Sequence, residues 1–173
     1  MSHGYDIGTL LLRVALGITM LAHGYNHAWG GGKLAGTARW FESIGIRPGR
    51  VHALLATATE LAVAPLLFLG LLTPLAAAGV LGVMLVALIA NHLKNGYFIF
   101  RPGEGYEYVL FITFAALAMA ALGGGSWSVD RVLVEHDVAG SGWLFGWHGL
   151  LVAAVAGGGG AALLLATCWR PAR

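Results

Sequence analysis

The chain has very little charge. Only 10% of its 173 residues are Asp, Glu, Lys or Arg, against about 25% in soluble domains. A deficit of that size excludes an ordinary solvated surface. The signs nearly balance, with 10 basic and 8 acidic residues and a formal net charge of +2. No basic run carries interleaved aromatics, so nucleic acid is not an expected partner. Cysteine is reduced to Cys168. One thiol excludes an intramolecular disulfide and any metal or iron–sulfur site built from several cysteines, and no metal site is expected. The chain also lacks a basic segment ahead of its first apolar run, and Arg13 interrupts that run, so the run does not read as a secretory signal.

What the chain does have is hydrocarbon: 58% of residues are hydrophobic and the mean hydropathy is +0.76. Five apolar runs stand out, Ile7–Ala28, Val51–Leu72, Leu75–Leu93, Tyr108–Leu122 and Leu144–Trp169. About 20 residues cross a bilayer core. The fourth run is short and has to extend to Glu107 or be shielded by neighbours. Pro74 falls where a helix tolerates proline, at its first turn. Almost no loop separates the second and third runs, which predicts a tight antiparallel hairpin. Lys33 to Ile46 places Leu34, Ala38, Phe41 and Gly45 at helical spacing. That pattern predicts a short helix in the interface or across the bundle mouth. The expected fold class is an all-α integral membrane protein with the lipid bilayer as its solvent.

Basic residues set an expected orientation. Lys33, Arg39, Arg47, Arg50, Lys94, Arg101, Arg170 and Arg173 fall on one side, while the other has only Arg131, beside Asp130, Glu135 and Asp137. The expectation is an outer N-terminus and a cytoplasmic C-terminus.

Against this background the ionisable residues inside the apolar runs are the candidates for chemistry. An ionisable group at the bilayer centre costs about 2.5–3.5 kcal/mol on insertion scales, so such residues find partners and often a use. Arg13, His23, Glu60, His92 and Glu107 form the proposed polar site. At 1.5 Å per residue, Arg13 lies about 9 Å from the outer end of its run and Glu60 about 16 Å. The difference of about 7 Å predicts a buried Arg13–Glu60 pair. Pro65 withholds a hydrogen bond from the Leu61 carbonyl beside Glu60. His23 and His27 share a face at i, i+4, and His23, His27, His52 and His92 all fall toward the inner side. They admit proton conduction, hydrogen bonding to a quinone, or interfacial anchoring. A bis-His haem is not expected, because nothing in the sequence makes two rings face each other. Glu107 is explained by the dipole at a helix start and is also a second candidate proton acceptor. In the fifth run, Gly157, Gly158, Gly159 and Gly160 form a thin surface expected to bind a partner.

Several segments together resemble the DoxX family of small four-helix membrane proteins. They are Leu12-Arg13-Val14-Ala15-Leu16-Gly17 with His23-Gly24, then Gly36-Thr37-Ala38 with Phe41 and Gly45, then Glu60-Leu61 with Leu69-Gly70-Leu71-Leu72-Thr73-Pro74. Asn95-Gly96-Tyr97-Phe98, Tyr106-Glu107-Tyr108 and Ser128-Val129-Asp130 complete the set. His27 stands where many members carry a basic residue, and Ala62-Val63 replaces a usual small pair. The resemblance covers roughly residues 7 to 133. It implies a four-helix domain over 1–133, followed by an outer loop and an extra helix over 134–173. It further implies a place in redox systems of a bacterial inner membrane, as in the related membrane subunit of thiosulfate:quinone oxidoreductase. The expected role is a membrane subunit of an oxidoreductase complex that contacts quinone or passes protons. No cofactor is expected within the chain beyond a possible quinone, and other membrane subunits are expected as partners. The alternatives are a non-catalytic assembly subunit and a small transporter or lipid-binding bundle.

Overall fold

The computed structural model describes residues 3–136 and 138–171. Asp137 and Arg173, counted in the charge asymmetry, lie outside them. The elements are α1 (His3–Trp29), α2 (Lys33–Ser43), α3 (Gly49–Leu69), α4 (Thr73–Asn95), α5 (Glu107–Leu122), α6 (Val129–Glu135) and α7 (Gly146–Cys168). α4 contains a π turn at Leu88–His92, and α7 contains another at Ala154–Gly158. No strand forms among the described residues, only a single antiparallel bridge between Ile46 and Trp169. The protein is an all-α membrane bundle. α1, α3, α4 and α7 are long and apolar enough to cross a membrane. α5 starts at Glu107 and has 16 residues, about 24 Å of helix.

Local chemistry places the turns. α3 ends because Gly70 takes a left-handed φ of 61°, a conformation that costs glycine little. Pro74 then opens α4 within its first turn. The Asp130 carboxylate completes this hairpin by accepting hydrogen bonds from Leu72 N at 2.6 Å and Thr73 N at 2.8 Å. It thereby satisfies amides that the start of a helix leaves unpaired.

Glycine sets the distance between α1 and α3. A Cβ on Gly17 would collide with the Phe68 ring, and one on Gly24 with Leu61 and the Cβ of Glu60. The antiparallel register is therefore Gly17 beside Phe68 and Gly24 beside Glu60–Leu61. Continued outward, it brings Arg13 level with Gly70, whose missing side chain leaves room for the guanidinium. Arg13 is buried and donates from Nη2 to the Trp127 carbonyl at 2.7 Å. Asp130 acts on it electrostatically. Arg13 and Glu60 are thus not partners. Ten residues of α3 separate Glu60 from the level of Arg13, about 15 Å along the helix. The expected pairing assumes that the two helices end at one level; the register instead carries the first ten residues of α1, from His3, past the turn at Gly70.

α4 occupies the middle, with Ala76, Ala77, Val80, Leu81 and Met84 buried. α7 lies on it through Gly149, Ala153, Gly157 and Ala161, its buried residues at four-residue spacing. A side chain on Gly149 would press on the Ala120 carbonyl and Pro74, and one on Gly157 on the Ala78 backbone. With little hydrophobic drive between helices in lipid, small residues at such spacing permit close backbone packing. The far end of α7 is tied down as well: Arg47 N donates to Cys168 O at 2.9 Å and Arg170 N to Gly45 O at 2.7 Å. Gly157 is therefore inside the bundle, which differs from its expected place on a partner face. A Cβ on Gly158, Gly159 or Gly160 meets nothing within 4 Å.

This packing predicts a contrast. Gly157→Leu should lower the melting temperature in detergent, by overpacking worth about 1–3 kcal/mol. Gly159→Leu should leave it unchanged or raise it, because glycine is a poor helix former. Equal melting of the two variants would contradict the α4–α7 contact.

Candidate functional site

A cavity of about 530 Å³ runs along the face of α4 toward the α2 end of the bundle. Small residues of α4, including Gly79 and Gly82, form its floor. Leu55, Ala56 and Thr59 of α3 form one wall, and Ala156, Gly160 and Leu164 of α7 the other. Trp40, Phe41 and Ile44 close it at the α2 end. There the chain is also pinned by Trp169, whose indole donates to the Ile44 carbonyl at 3.0 Å. Leu55 is 54% exposed, and Ala156 and Gly160 are exposed too. The mouth therefore lies between α3 and α7, on an apolar flank of the bundle.

The polar groups gather at the closed end. Glu60 is 1% exposed, and its Oε2 lies 2.9 Å from Nδ1 of His27. The two atoms are at ion-pair distance without the alignment of a hydrogen bond. Gly24 explains the contact: it lets α1 settle on Glu60, and the next turn of α1 delivers His27. The His23 ring stands edge-on to His27 with centroids 6.5 Å apart and also lines the cavity.

His92 faces the cavity from α4, where the π turn ends. Its Nδ1 lies 2.9 Å from the Glu104 carbonyl. A carbonyl can only accept, so Nδ1 carries the proton and Nε2 is the acceptor. Tyr108 Oη at 3.0 Å and Asn91 Nδ2 at 3.2 Å donate to Nε2. Both nitrogens are engaged by protein groups, and the ring holds Tyr108 in place.

His52, on α3, is different. It is only 7% exposed and lines the cavity, yet neither ring nitrogen has a hydrogen-bond partner. A second, smaller cavity of about 360 Å³ lies beneath Asn26, Gly30, Lys33 and Thr37, and His27 and Trp40 line both cavities.

Of the residues singled out in the sequence, the structure brings His23, Glu60 and His92 together. Arg13 belongs to the opposite end, with Trp127 and Asp130. Glu107 is not a cavity residue; its Oε2 accepts from Ile99 N at 3.2 Å and organises the loop before α5. The site adds His27, His52 and Tyr108. The i, i+4 spacing of His23 and His27 pointed to the first. Tyr108 stood out only as part of the Tyr106-Glu107-Tyr108 segment of the resemblance, because its role depends on a loop carbonyl holding His92 from the other side. Among the described residues, no group of three His, Cys, Asp or Glu side chains converges to hold a metal.

The pairing yields a test by charge removal. His27→Leu should leave Glu60 buried without its counter-charge and cost about 3–5 kcal/mol, the loss typical of a broken buried pair. Adding Glu60→Leu should restore most of it. Melting of the single and double variants in one detergent measures both. A single variant as stable as the wild type would show that the pair carries no charge.

The DoxX sequence profile matches residues 8–93, the stretch that holds α1 to α4 and supplies Glu60, three of the site histidines besides His92, and the hairpin at Gly70. A Bacillus subtilis (strain 168) protein named "Putative oxidoreductase CatD" is 34% identical over 119 residues, which is 69% of this chain and 83% of that protein. No solved structure matches. The matched helices supply the floor, one wall and the Glu60–His27 pair of the cavity, and with this profile and this relative the chain belongs to the DoxX family.

Proposed function

We propose that this protein is the membrane component of an oxidoreductase system and that its cavity binds a lipid-soluble quinone or quinol. The observation that carries the reading is the buried Glu60–His27 pair at the closed end of an apolar cavity whose mouth is on the lipid-facing flank. Pockets of this kind hold an apolar body with a few placed polar groups. Interconversion of quinone and quinol moves two electrons and two protons. The pair can accept or return a proton at a ligand oxygen in the cavity. His27 borders the second cavity as well, so it can pass that proton toward the α2 end. In this reading the electrons come from, or go to, a partner protein, since cofactors supply such chemistry. The oxidoreductase name of the Bacillus subtilis relative agrees with it.

The test uses the protein purified gently from its source membrane. Solvent extraction should release quinone from the wild type. Gly160→Phe should abolish retention while the protein stays folded, because a Cβ there meets nothing and the ring would enter the cavity. Phospholipid alone in the wild type would favour a lipid-binding bundle and end the quinone reading.

The orientation is part of the same proposal. Lys33, Arg39, Arg47, Arg50, Lys94, Arg101 and Arg170 sit on elements that meet at the α2 end. Positive charge favours the cytoplasmic side, so the proton outlet faces the cytoplasm. With Cys168→Ser as background, a cysteine placed at Ser43 should resist an impermeant thiol reagent in intact cells and react after lysis. Labelling in intact cells would invert the orientation.

A further inference from the structure

His52 is a cavity-lining residue whose buried ring the protein itself leaves without any hydrogen bond. It is 7% exposed, and both ring nitrogens lack partners. Burying a polar group without a hydrogen bond is costly, and an orphan of this kind calls for a ligand or an ordered water. Two other histidines of the cavity differ. His92 is saturated by Glu104, Tyr108 and Asn91, and His27 lies against Glu60. Apart from the Glu60–His27 contact atoms, the buried unsatisfied side-chain atoms lining the cavity, among the described residues, are the two His52 nitrogens.

Spacing gives the second part of the argument. His52 and Glu60 lie on the same helix, eight residues apart, or about 12 Å along the axis. Both line the same cavity. That spacing places the two residues at separate stations along the cavity. A six-membered ring with oxygens at opposite ends and a hydrogen bond of about 2.8 Å at each spans a length of that order. Leu55, Ala56 and Thr59 line the wall between them, a surface that suits the ring's faces.

We infer that His52 is the second head-group contact of the cavity. The site then selects a ring bearing two oxygens in para positions, with one at Glu60–His27 and the other at His52. This rests on the quinone reading above and refines it from a quinone-type ligand to a two-point clamp. Neutral imidazole has one donor and one acceptor. His52 can therefore donate to a quinone carbonyl or accept from a quinol hydroxyl, and serves both redox forms.

The experiment compares decylhydroquinone with decylphenol, which carries one oxygen on the same ring and chain. Equilibrium binding to the full-length protein is measured in detergent without oxygen. The wild type should prefer the hydroquinone by about tenfold, the worth of one further hydrogen bond. His52→Phe should bring the hydroquinone down to the level of the phenol and leave the phenol within about twofold. Equal weakening of both ligands would assign His52 to packing and overturn the inference, and so would no change in either. In the wild type, the imidazole nitrogen resonances of His52 should shift on saturation with hydroquinone and not with phenol. This readout serves even if the variant fails to fold, and unshifted resonances under saturating hydroquinone would overturn the clamp. Tight binding of both ligands without preference leaves the quinone reading standing and removes His52 from it. A wild type that binds neither removes both.

Discussion

A carboxylate in the apolar half of a helix has to be answered by another chain segment, and the contact of Glu60 with His27 is that answer. It depends on backbone proximity rather than on side-chain reach. Gly24 admits α1 close to α3 at the level of Glu60 and Leu61, and His27 follows one turn later. The same approach fixes the register of the two helices. That register decides that Arg13 reaches Gly70, Trp127 and Asp130 rather than Glu60. One close contact thus divides the ionisable residues into two groups at opposite ends of the bundle.

The two groups do different work. At the Arg13 end the polar atoms mostly satisfy backbone. Asp130 accepts from Leu72 and Thr73, Asp6 accepts from Ser126 N at 2.8 Å, and Arg13 donates to a carbonyl. These bonds close the α3–α4 hairpin against the segment that follows α5. At the Glu60 end the polar atoms surround empty space. Glu60, His27 and His52 face a cavity walled by apolar side chains, while His92 and Tyr108 are held rigid beside it. The Arg13 end is not fully paired either, since Arg13 Nε and Nη1 and Thr73 Oγ1 lack hydrogen-bond partners, but neither residue lines the cavity. The cavity, rather than the count of charged residues, locates the candidate site.

Glycine on α7 serves two purposes that composition alone merges. Gly157 faces the Ala78 backbone of α4 and Gly149 the Ala120 carbonyl of α5, where their lack of a side chain lets the backbones meet. Gly160 faces the cavity and leaves its wall open. With α7 packed on α4 and its end joined to residues 45–47, the cavity has a second wall and a closed end. The extra helix is therefore structural to the site.

Much of this was legible in the sequence for physical reasons. Long apolar runs have to become helices, because a backbone in hydrocarbon must satisfy itself. The helix starts near Pro74 and Glu107, the turn at Gly70 and the short helix from Lys33 followed from local chemistry. Histidines and acids within apolar runs marked the cost that some partner would have to offset, and His23, Glu60 and His92, marked in this way, line one cavity. The identity of each partner was not legible. Sequence spacing measures distance along one helix, whereas pairing depends on how far one helix slides past another, and Gly17 and Gly24 set that only once α1 and α3 are packed. The same holds for His52, whose significance is the absence of any neighbour for its nitrogens, and for Tyr108, which acts through a ring on another helix. The sequence by itself determined the helices and the residues that needed company; the tertiary structure alone decided who kept it, because contacts between helices depend on register and close approach, which no single helix contains.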